Sequence, residues 1–291
     1  MKKVKVYIVT YRNPEHLNEN LKTLFWSYDL TYGLNLEVNV INNHSEFSMD
    51  GDFVAKGVNV LHNQTRPDFS VGHLPRDWNA ALVQGFVDLK NPDCDVVILS
   101  QDDTVWKGNA LQNIVDQTFH YDFIALGNGD CVCAFTPTGV RKMGLWDETN
   151  FSSNGFHECD AFIRAALYLG ERASINDVFH QLMPEARGKF PPHPYLFNQL
   201  PYGPRDLIYR PDSNFEKIND KNVYSVYHAT AREAFKRKWG TYPEMEPLIH
   251  QVERFKDGPL HPTPILYPYF EKDLDAEVLA TTNWVDSYKW I

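Results

Sequence analysis

Apolar positions along the first hundred residues follow two alternating periods. Residues 4–10 form a short apolar run rich in β-branched side chains, which predicts a buried strand. Apolar side chains then recur every three or four residues, at Leu17, Leu21, Leu24 and Phe25, as on one face of a helix. The alternation continues with predicted strands at 37–41, 58–61 and 96–99 and a helix over residues 78–89. Helices between apolar strands predict an α/β fold, in which a mainly parallel central sheet carries helices on both faces.

The pattern loosens after residue 103. Short strands are predicted at 123–126 and 131–135, followed by a helix at 159–169 that Gly170 ends. Prolines at seven positions from 184 to 211 exclude a regular helix and predict a long ordered loop or lid. A last strand at 223–227 and a basic helix at 231–239 follow. We expect one domain over residues 1–240, with halves 1–103 and 104–240, and a C-terminal extension over residues 241–291.

The charge balance of the chain narrows its possible partners. Its 28 Lys and Arg residues against 38 Asp and Glu residues give a net charge of −10. Nucleic-acid binders and proteins of anionic membrane surfaces need a basic field, so we expect neither class. No apolar stretch approaches the roughly 18 residues that span a bilayer. The four cysteines lack the spacing of a zinc site, and without an export signal we expect a cytoplasmic location.

A pair of carboxylates, Asp102-Asp103, directly follows the predicted strand at 96–99. Ligands of parallel sheets bind beyond the carboxyl ends of strands, which here are residues 10–12, 42–45 and 100–103. Mg²⁺ and Mn²⁺ prefer oxygen ligands, so the pair suits a cation that bridges phosphate oxygens. A solvated turn is the alternative interpretation. The chain has no P-loop, and Gly127-Asn128-Gly129 lacks the third glycine of a dinucleotide-binding loop.

A second acidic group, His157-Glu158-Cys159-Asp160, begins the predicted helix at 159–169. Carboxylates in a first helical turn are stabilised by the helix dipole, and Asp160 is spaced to pair with Arg164 four residues later. Alternatively, Glu158 projects from the start of the helix as a general base for an incoming hydroxyl. The spacing favours neither interpretation over the other.

Taken in order, the motifs of the chain resemble those of a family-2-type glycosyltransferase of the GT-A fold. The resemblance covers residues 4–240. It rests on Thr10-Tyr11-Arg12, Asn42-Asn43-His44-Ser45, Arg66 with Gly72 and Asn79, Ser100-Gln101-Asp102-Asp103 at the DXD position, Gly144-Leu145-Trp146-Asp147-Glu148, His157-Glu158-Cys159-Asp160 with Arg164, and His228 with Lys238-Trp239-Gly240.

The resemblance implies an inverting, metal-dependent transferase that moves a sugar from a nucleotide-diphosphate donor to a hydroxyl acceptor. The donor would be UDP-, GDP- or dTDP-linked, and the acceptor a glycan or another hydroxyl compound. The family's pattern implies that the nucleoside is held by Thr10, Arg12, Asn43 and Ser45, and that Arg66 and Asn79 lie near the ribose or diphosphate. Gln101 and Asp102 would also contact the nucleotide sugar. The cofactor Mn²⁺ or Mg²⁺ would be bound by Asp102, Asp103 and His228, and Glu158 would be the general base.

Two departures from the family's pattern keep other functions open. The first acid of the DXD motif is missing, since Ser100-Gln101-Asp102 stands there, and His157 stands where the family has a glutamate before its base. A catalytically silent carbohydrate-binding protein of the same fold is therefore one alternative. A nucleotidyltransferase is the other, although residues 10–14 lack the Gly-rich, basic loop of that class. The proline-rich segment 184–211 is predicted to shape the acceptor site.

Overall fold

The structure is a computed structural model that describes residues 1–63, 74–127, 131–151, 156–177, 208–209, 221–240 and 242. Its strands are β1 (Lys2–Thr10), β2 (Leu34–Asn42), β3 (Asn59–His62), β4 (Val96–Gln101), β5 (Val105–Trp106), β6 (Phe123–Gly127), β7 (Val132–Phe135), β8 (Ala173–Asp177) and β9 (Ile208–Tyr209). Its helices are α1 (Pro14–Asp29), α2 (Gly51–Ala55), α3 (Leu74–Phe86), α4 (Ala110–Gln117), α5 (Pro137–Met143), α6 (His157–Leu169) and α7 (Lys221–Trp239), with a 3₁₀ turn at Gly170–Arg172.

Seven of these strands form one mixed sheet in the order β3-β2-β1-β4-β7-β6-β8. β7 runs antiparallel to both of its neighbours, whereas β1 to β4 are parallel and β6 is parallel to β8. β5 and β9 form a separate antiparallel pair. The predicted mixed α/β architecture with a mainly parallel central sheet is confirmed.

The core lies on both faces of the sheet because successive side chains of a strand point to opposite sides. Val4, Val6 and Ile8 of β1 are buried in a cluster with the apolar faces of α1 and α4. Tyr7, between them, belongs to the opposite cluster, in which α3 contributes Trp78, Leu82 and Phe86 and α6 contributes Phe162 and Ile163. Both faces of the sheet are therefore covered by helices, as the buried strands predicted.

The region after residue 177 differs most from the sequence prediction. Residues 223–227 were expected to form a strand, and this is wrong, because they are part of the continuous helix α7. Valine and tyrosine favour strands only where neighbouring strands supply packing partners, and their strand propensity is too weak to interrupt a helix that continues through them. The proline-rich segment 184–211 lies outside the described residues except for the two residues of β9. Among the described residues, no helix is long and apolar enough to cross a membrane.

Candidate active site

The carboxyl ends of the central strands meet at one edge of the sheet, which we call the carboxyl edge. Thr10 at the end of β1 pairs with Asn42, and Val9 pairs with Gln101 at the end of β4. The first turn of α6 lies at this same edge. The helix is about 20 Å long and returns to the opposite edge, where β8 begins with Ala173 beside Phe123. The topology thus brings the start of α6 to the side of the sheet where β1, β2 and β4 end.

Asp102 is a half-buried carboxylate that β1 holds in place. Its backbone N–H donates to the carbonyl of Val9 at 3.1 Å, and the buried hydroxyl of Thr10 donates to its Oδ2 at 2.7 Å. Thr10 was predicted to hold the nucleoside. That contact stays a prediction, and in the structure the Thr10 hydroxyl donates to Asp102 and supports the carboxylate.

The oxygen donors after β4 fit a hard divalent cation. Asp103 is buried next to half-buried Asp102 and half-buried Gln101. Among the described residues, no group of three or more His, Cys, Asp and Glu side chains is placed to hold a metal ion. Mg²⁺ is usually bound by one or two carboxylates together with substrate phosphates, so two protein carboxylates suffice for that mode. His228 lies in α7, and its side chain is outside the part of the chain that the structure describes.

Asn43, at the end of β2, is buried in a network of polar side chains. Its amide donates to Asp77 of α3 at 2.7 Å, and its Oδ1 accepts from Asn63 at 3.2 Å. Both side-chain groups of Asn43 are therefore engaged within the protein. Asp77 and Asn63 also line a cavity of about 460 Å³. Its other lining residues are Ile41, Leu61, His62, Arg76, Ala80, Val83 and Gln84.

Two further predicted nucleoside contacts, Arg12 and Ser45, are exposed at the same edge. Arg12 has a φ of 52°, a left-handed conformation, and pairs with Glu46 at 3.3 Å. Tyr11 lies between these strand ends, with its ring 5.1 Å from that of His44. The strand ends therefore present a cation, a hydroxyl and an aromatic ring at the carboxyl edge. Arg66, the remaining residue predicted near the diphosphate, lies outside the described residues.

Asn79 ties helix α3 to the loop that precedes α6. Its amide nitrogen donates to the carbonyl of Trp146 and to Glu148, both at 2.9 Å, and its oxygen accepts from the backbone N–H of Trp146 at 2.8 Å. The predicted contact of Asn79 with ribose or diphosphate stays a prediction. In the structure, the buried Asn79 side chain forms hydrogen bonds that hold the loop around Trp146 at the carboxyl edge.

Glu158 lies in the first turn of α6 with 21% of its side chain exposed. Its Oε2 is shielded from solvent and lies 3.3 Å from Nδ1 of His157. The His157 ring packs 5.7 Å from that of Trp146. Phe156, directly before the helix, has a φ of 61°. Strained backbone of this kind is concentrated at functional sites, and Glu158 lies two residues after it.

Asp160 has a structural environment quite different from that of Glu158. It is fully buried, and its carboxylate accepts from Arg164 Nε at 2.9 Å and from Trp239 Nε1 at 3.0 Å. Lys238 Nζ lies 2.5 Å from the same carboxylate. Burial alone would raise the pKa of Asp160, but the Arg164 and Lys238 cations outweigh it and hold the pKa below its ordinary value. The spacing predicted the pair with Arg164, but neither its complete burial nor the two partners from α7.

Lys238 and Asp77 are the residues of this edge whose contacts sequence reasoning missed. Lys238-Trp239-Gly240 stood out only as a closing motif, and Asp77 gave no signal. A lysine inside an otherwise basic helix looks like a solvated charge. Only the fold shows that Lys238 is buried between Asp147 and Asp160.

No family model matches the chain, and no curated protein matches it in sequence. Solved structures match its fold. The mannosyltransferase PcManGT from Pyrobaculum calidifontis, in complex with GDP-Man and Mn²⁺, aligns with a TM-score of 0.41 and 15% identity. The alignment covers 59% of this chain and 54% of that one. Part of the chain is thus similar to a solved GT-A-type glycosyltransferase.

Two more solved structures show the extent of this likeness. TarS from S. aureus has a TM-score of 0.41 and 13% identity, with 57% of this chain and 56% of that chain aligned. Glucosyl-3-phosphoglycerate synthase from Mycobacterium tuberculosis, in complex with Mn²⁺, UDP and phosphoglyceric acid, has a TM-score of 0.41 and 11% identity. Its alignment covers 59% of this chain and 67% of that one. The matched region spans little more than half the length of PcManGT and TarS.

Proposed function

We propose that the protein is an inverting glycosyltransferase that moves a sugar from a nucleotide-diphosphate donor to a hydroxyl acceptor. The observation that carries the proposal is the carboxyl edge. There the half-buried Asp102 follows β4, and Glu158, with 21% of its side chain exposed, lies in the first turn of α6. The reaction needs two separate carboxylates, one to bind the cation at the donor diphosphate and one to accept the proton of the acceptor hydroxyl.

On the donor side, Asp102 and Asp103 would hold Mn²⁺ or Mg²⁺ together with the phosphate oxygens of the substrate. The bound cation supplies Lewis-acid stabilisation of the charge that grows on the departing diphosphate. Thr10 keeps Asp102 oriented through its 2.7 Å hydrogen bond. The exposed Arg12 and Ser45, with Tyr11, are available to the nucleoside at the adjoining strand ends.

On the acceptor side, Glu158 would take the proton of the attacking hydroxyl. The hydroxyl oxygen forms a bond to the anomeric carbon while the bond from that carbon to the diphosphate oxygen breaks. Attack from the face opposite the diphosphate inverts the anomeric configuration. The exposed fifth of the Glu158 side chain supports this role, since a general base must be reached by the hydroxyl whose proton it takes.

The test is an assay of transfer with UDP-, GDP- and dTDP-linked sugars, Mn²⁺ and a panel of glycan acceptors. We expect nucleotide diphosphate to be released and the product, read by NMR, to have the opposite anomeric configuration to the donor. A product of retained configuration would reject the single displacement. Tight binding of a sugar nucleotide without turnover would indicate the silent carbohydrate-binding alternative. In a parallel assay with nucleoside triphosphates and sugar phosphates, release of pyrophosphate would indicate a nucleotidyltransferase.

A further inference from the structure

A buried ion network connects α7 to two acidic segments, which are the loop before α6 and the first turn of α6. Lys238, 2% exposed, places its Nζ 2.8 Å from Asp147 and 2.5 Å from Asp160. Asp147 lies in the loop between α5 and α6, directly before Glu148. Asp160 lies in the first turn of α6, two residues after Glu158. One ammonium group thus joins two segments that the chain separates by twelve residues.

The network has equal numbers of buried charges of each sign. Asp147 and Asp160 face the cations of Lys238 and Arg164, and Arg164 also donates to the carbonyl of Met143 at 2.6 Å. Asp147 accepts in addition from the backbone and side chain of Asn150, at 3.0 and 2.8 Å. Because all these groups are desolvated, their geometry is held more firmly than that of an exposed ion pair.

The docking of α7 does not depend on this network alone. Phe235, one turn before Lys238, is buried with its ring 6.3 Å from that of Phe151 and 6.4 Å from that of Phe156. Ala231 and Ala234 are buried on the same helix. An apolar contact therefore holds α7 against the loop and α6, which leaves Lys238 to set the positions of the two carboxylates.

We propose that Lys238 is a positioning residue that fixes the loop around Asp147 and the first turn of α6 relative to each other, and thereby aims Glu158. This inference rests on the proposed function, in which Glu158 receives a proton from the acceptor. Lys238 itself is buried behind the carboxyl edge and acts through the two aspartates. Removing it should change the placement of Glu158 and leave the donor site at the strand ends intact.

The test uses the double variant Lys238→Met/Asp147→Asn, which removes one cation and one anion and leaves Asp160 with Arg164. Replacing both members of a buried pair is often neutral for stability, so we expect a folded protein. Its kcat should fall about tenfold to 100-fold, since small misplacements of a reacting group have effects of that size. The donor Kd should stay unchanged. Arg237→Met, an exposed neighbour on α7, is the control and should match the wild type.

Amide hydrogen exchange gives a second measurement that does not require activity. In the double variant, we expect faster exchange in residues 144–151 and 157–160 and unchanged exchange in β1, β2 and β4. A folded double variant with wild-type kcat and unchanged exchange in those segments would overturn the positioning role. If the wild type transfers no sugar from any donor, the proposed function fails, and the exchange measurement still decides whether Lys238 holds the two segments.

Discussion

Two parts of the carboxyl edge are built by different physical means. At the strand ends, neutral side chains support carboxylates, with Thr10 donating to the half-buried Asp102 and Asn43 donating to the buried Asp77 of α3. At the start of α6, fully buried ions hold each other, with Asp160 enclosed by Arg164 and Lys238. The first arrangement leaves the charge of Asp102 partly exposed to solvent, whereas the second buries the charges of Asp160, Arg164 and Lys238.

The difference predicts how each part responds to change. A hydrogen bond to a charged group contributes about 1.5–3 kcal/mol to stability, so the strand ends should tolerate single substitutions better than the ion network does. Removing one partner of a buried ion pair costs about 3–5 kcal/mol, because the remaining charge is left uncompensated. Substitutions at the strand ends should therefore alter binding in a stable protein, whereas a single substitution that leaves a charge of the ion network uncompensated should lower stability. Glu158 lies beside the ion network but is not part of it, so its substitution should lower the reaction rate without lowering stability.

The largest effect is expected for Glu158→Gln. The amide cannot accept the acceptor's proton, and loss of a general base lowers the rate about 10²–10⁴-fold. The substitution is nearly isosteric, so donor affinity and the thermal midpoint should stay at wild-type values. Steady-state kinetics at saturating donor would measure the loss in kcat.

Glu15→Gln is the matched control, since Glu15 is exposed in the first turn of another helix, α1. It should leave kcat unchanged. A folded Glu158→Gln protein that retains most of its turnover would remove Glu158 from the mechanism.

Asp160→Asn should destabilise the protein most strongly. The neutral amide leaves Arg164 without a buried counter-charge and Lys238 with Asp147 alone. We therefore expect a loss of about 3–5 kcal/mol in the free energy of unfolding. An exposed pair would lose about 1 kcal/mol or less. Urea denaturation distinguishes the two, with the exposed Asp29→Asn as control. A loss below about 1 kcal/mol would contradict the buried network.

The same network makes stability sensitive to acid. The pKa of Asp160 is lowered in the folded protein, as is the pKa of Asp122, where Arg172 and Thr136 outweigh the effect of burial. A carboxylate with a lowered folded pKa stabilises the protein above its unfolded value of about 3.9, and this stabilisation is lost as the pH falls through the folded pKa. Urea midpoints should therefore be level between about pH 5 and 7 and fall below about pH 4. A rise on acidification would contradict this assignment.

The smallest of these effects is expected for Thr10→Val. Losing a hydrogen bond to a ligating carboxylate lowers metal affinity about tenfold or somewhat more, so the Mn²⁺-dependent part of nucleotide affinity should fall by that factor. Thr10→Ser keeps the hydroxyl and should bind as the wild type does. Equal affinities of the valine and serine variants would show that Asp102 does not need this support.

The sequence predicts the parts of the fold that depend on local periodicity. The strands β1, β2 and β4 and the helices α1, α3 and α6 follow from apolar spacing, because each buries one face or both against the same sheet. The motifs also predict which strand ends carry polar side chains. Residues 223–227 could not be assigned in this way, because valine and tyrosine there favour a strand while α7 continues through them.

The partners of the polar side chains could not be predicted from spacing. Asn43 with Asp77 and Asn79 with Trp146 are contacts between elements 34 and 67 residues apart. The local sequence does not distinguish an asparagine that bonds within the protein from one that binds a ligand. The burial of Lys238 depends on how α7 packs against α6, which is likewise set by tertiary structure.

The central claim is that the carboxyl edge binds a metal–nucleotide diphosphate through Asp102, and calorimetric titration tests it most directly. UDP, GDP and dTDP would be titrated into the wild type and into Asp102→Asn, first with Mn²⁺ and then with EDTA. We predict that one nucleotide binds the wild type much more tightly with Mn²⁺ than with EDTA, and that Asp102→Asn abolishes this difference. Equal affinity for the best nucleotide under both conditions in the wild type would contradict the account.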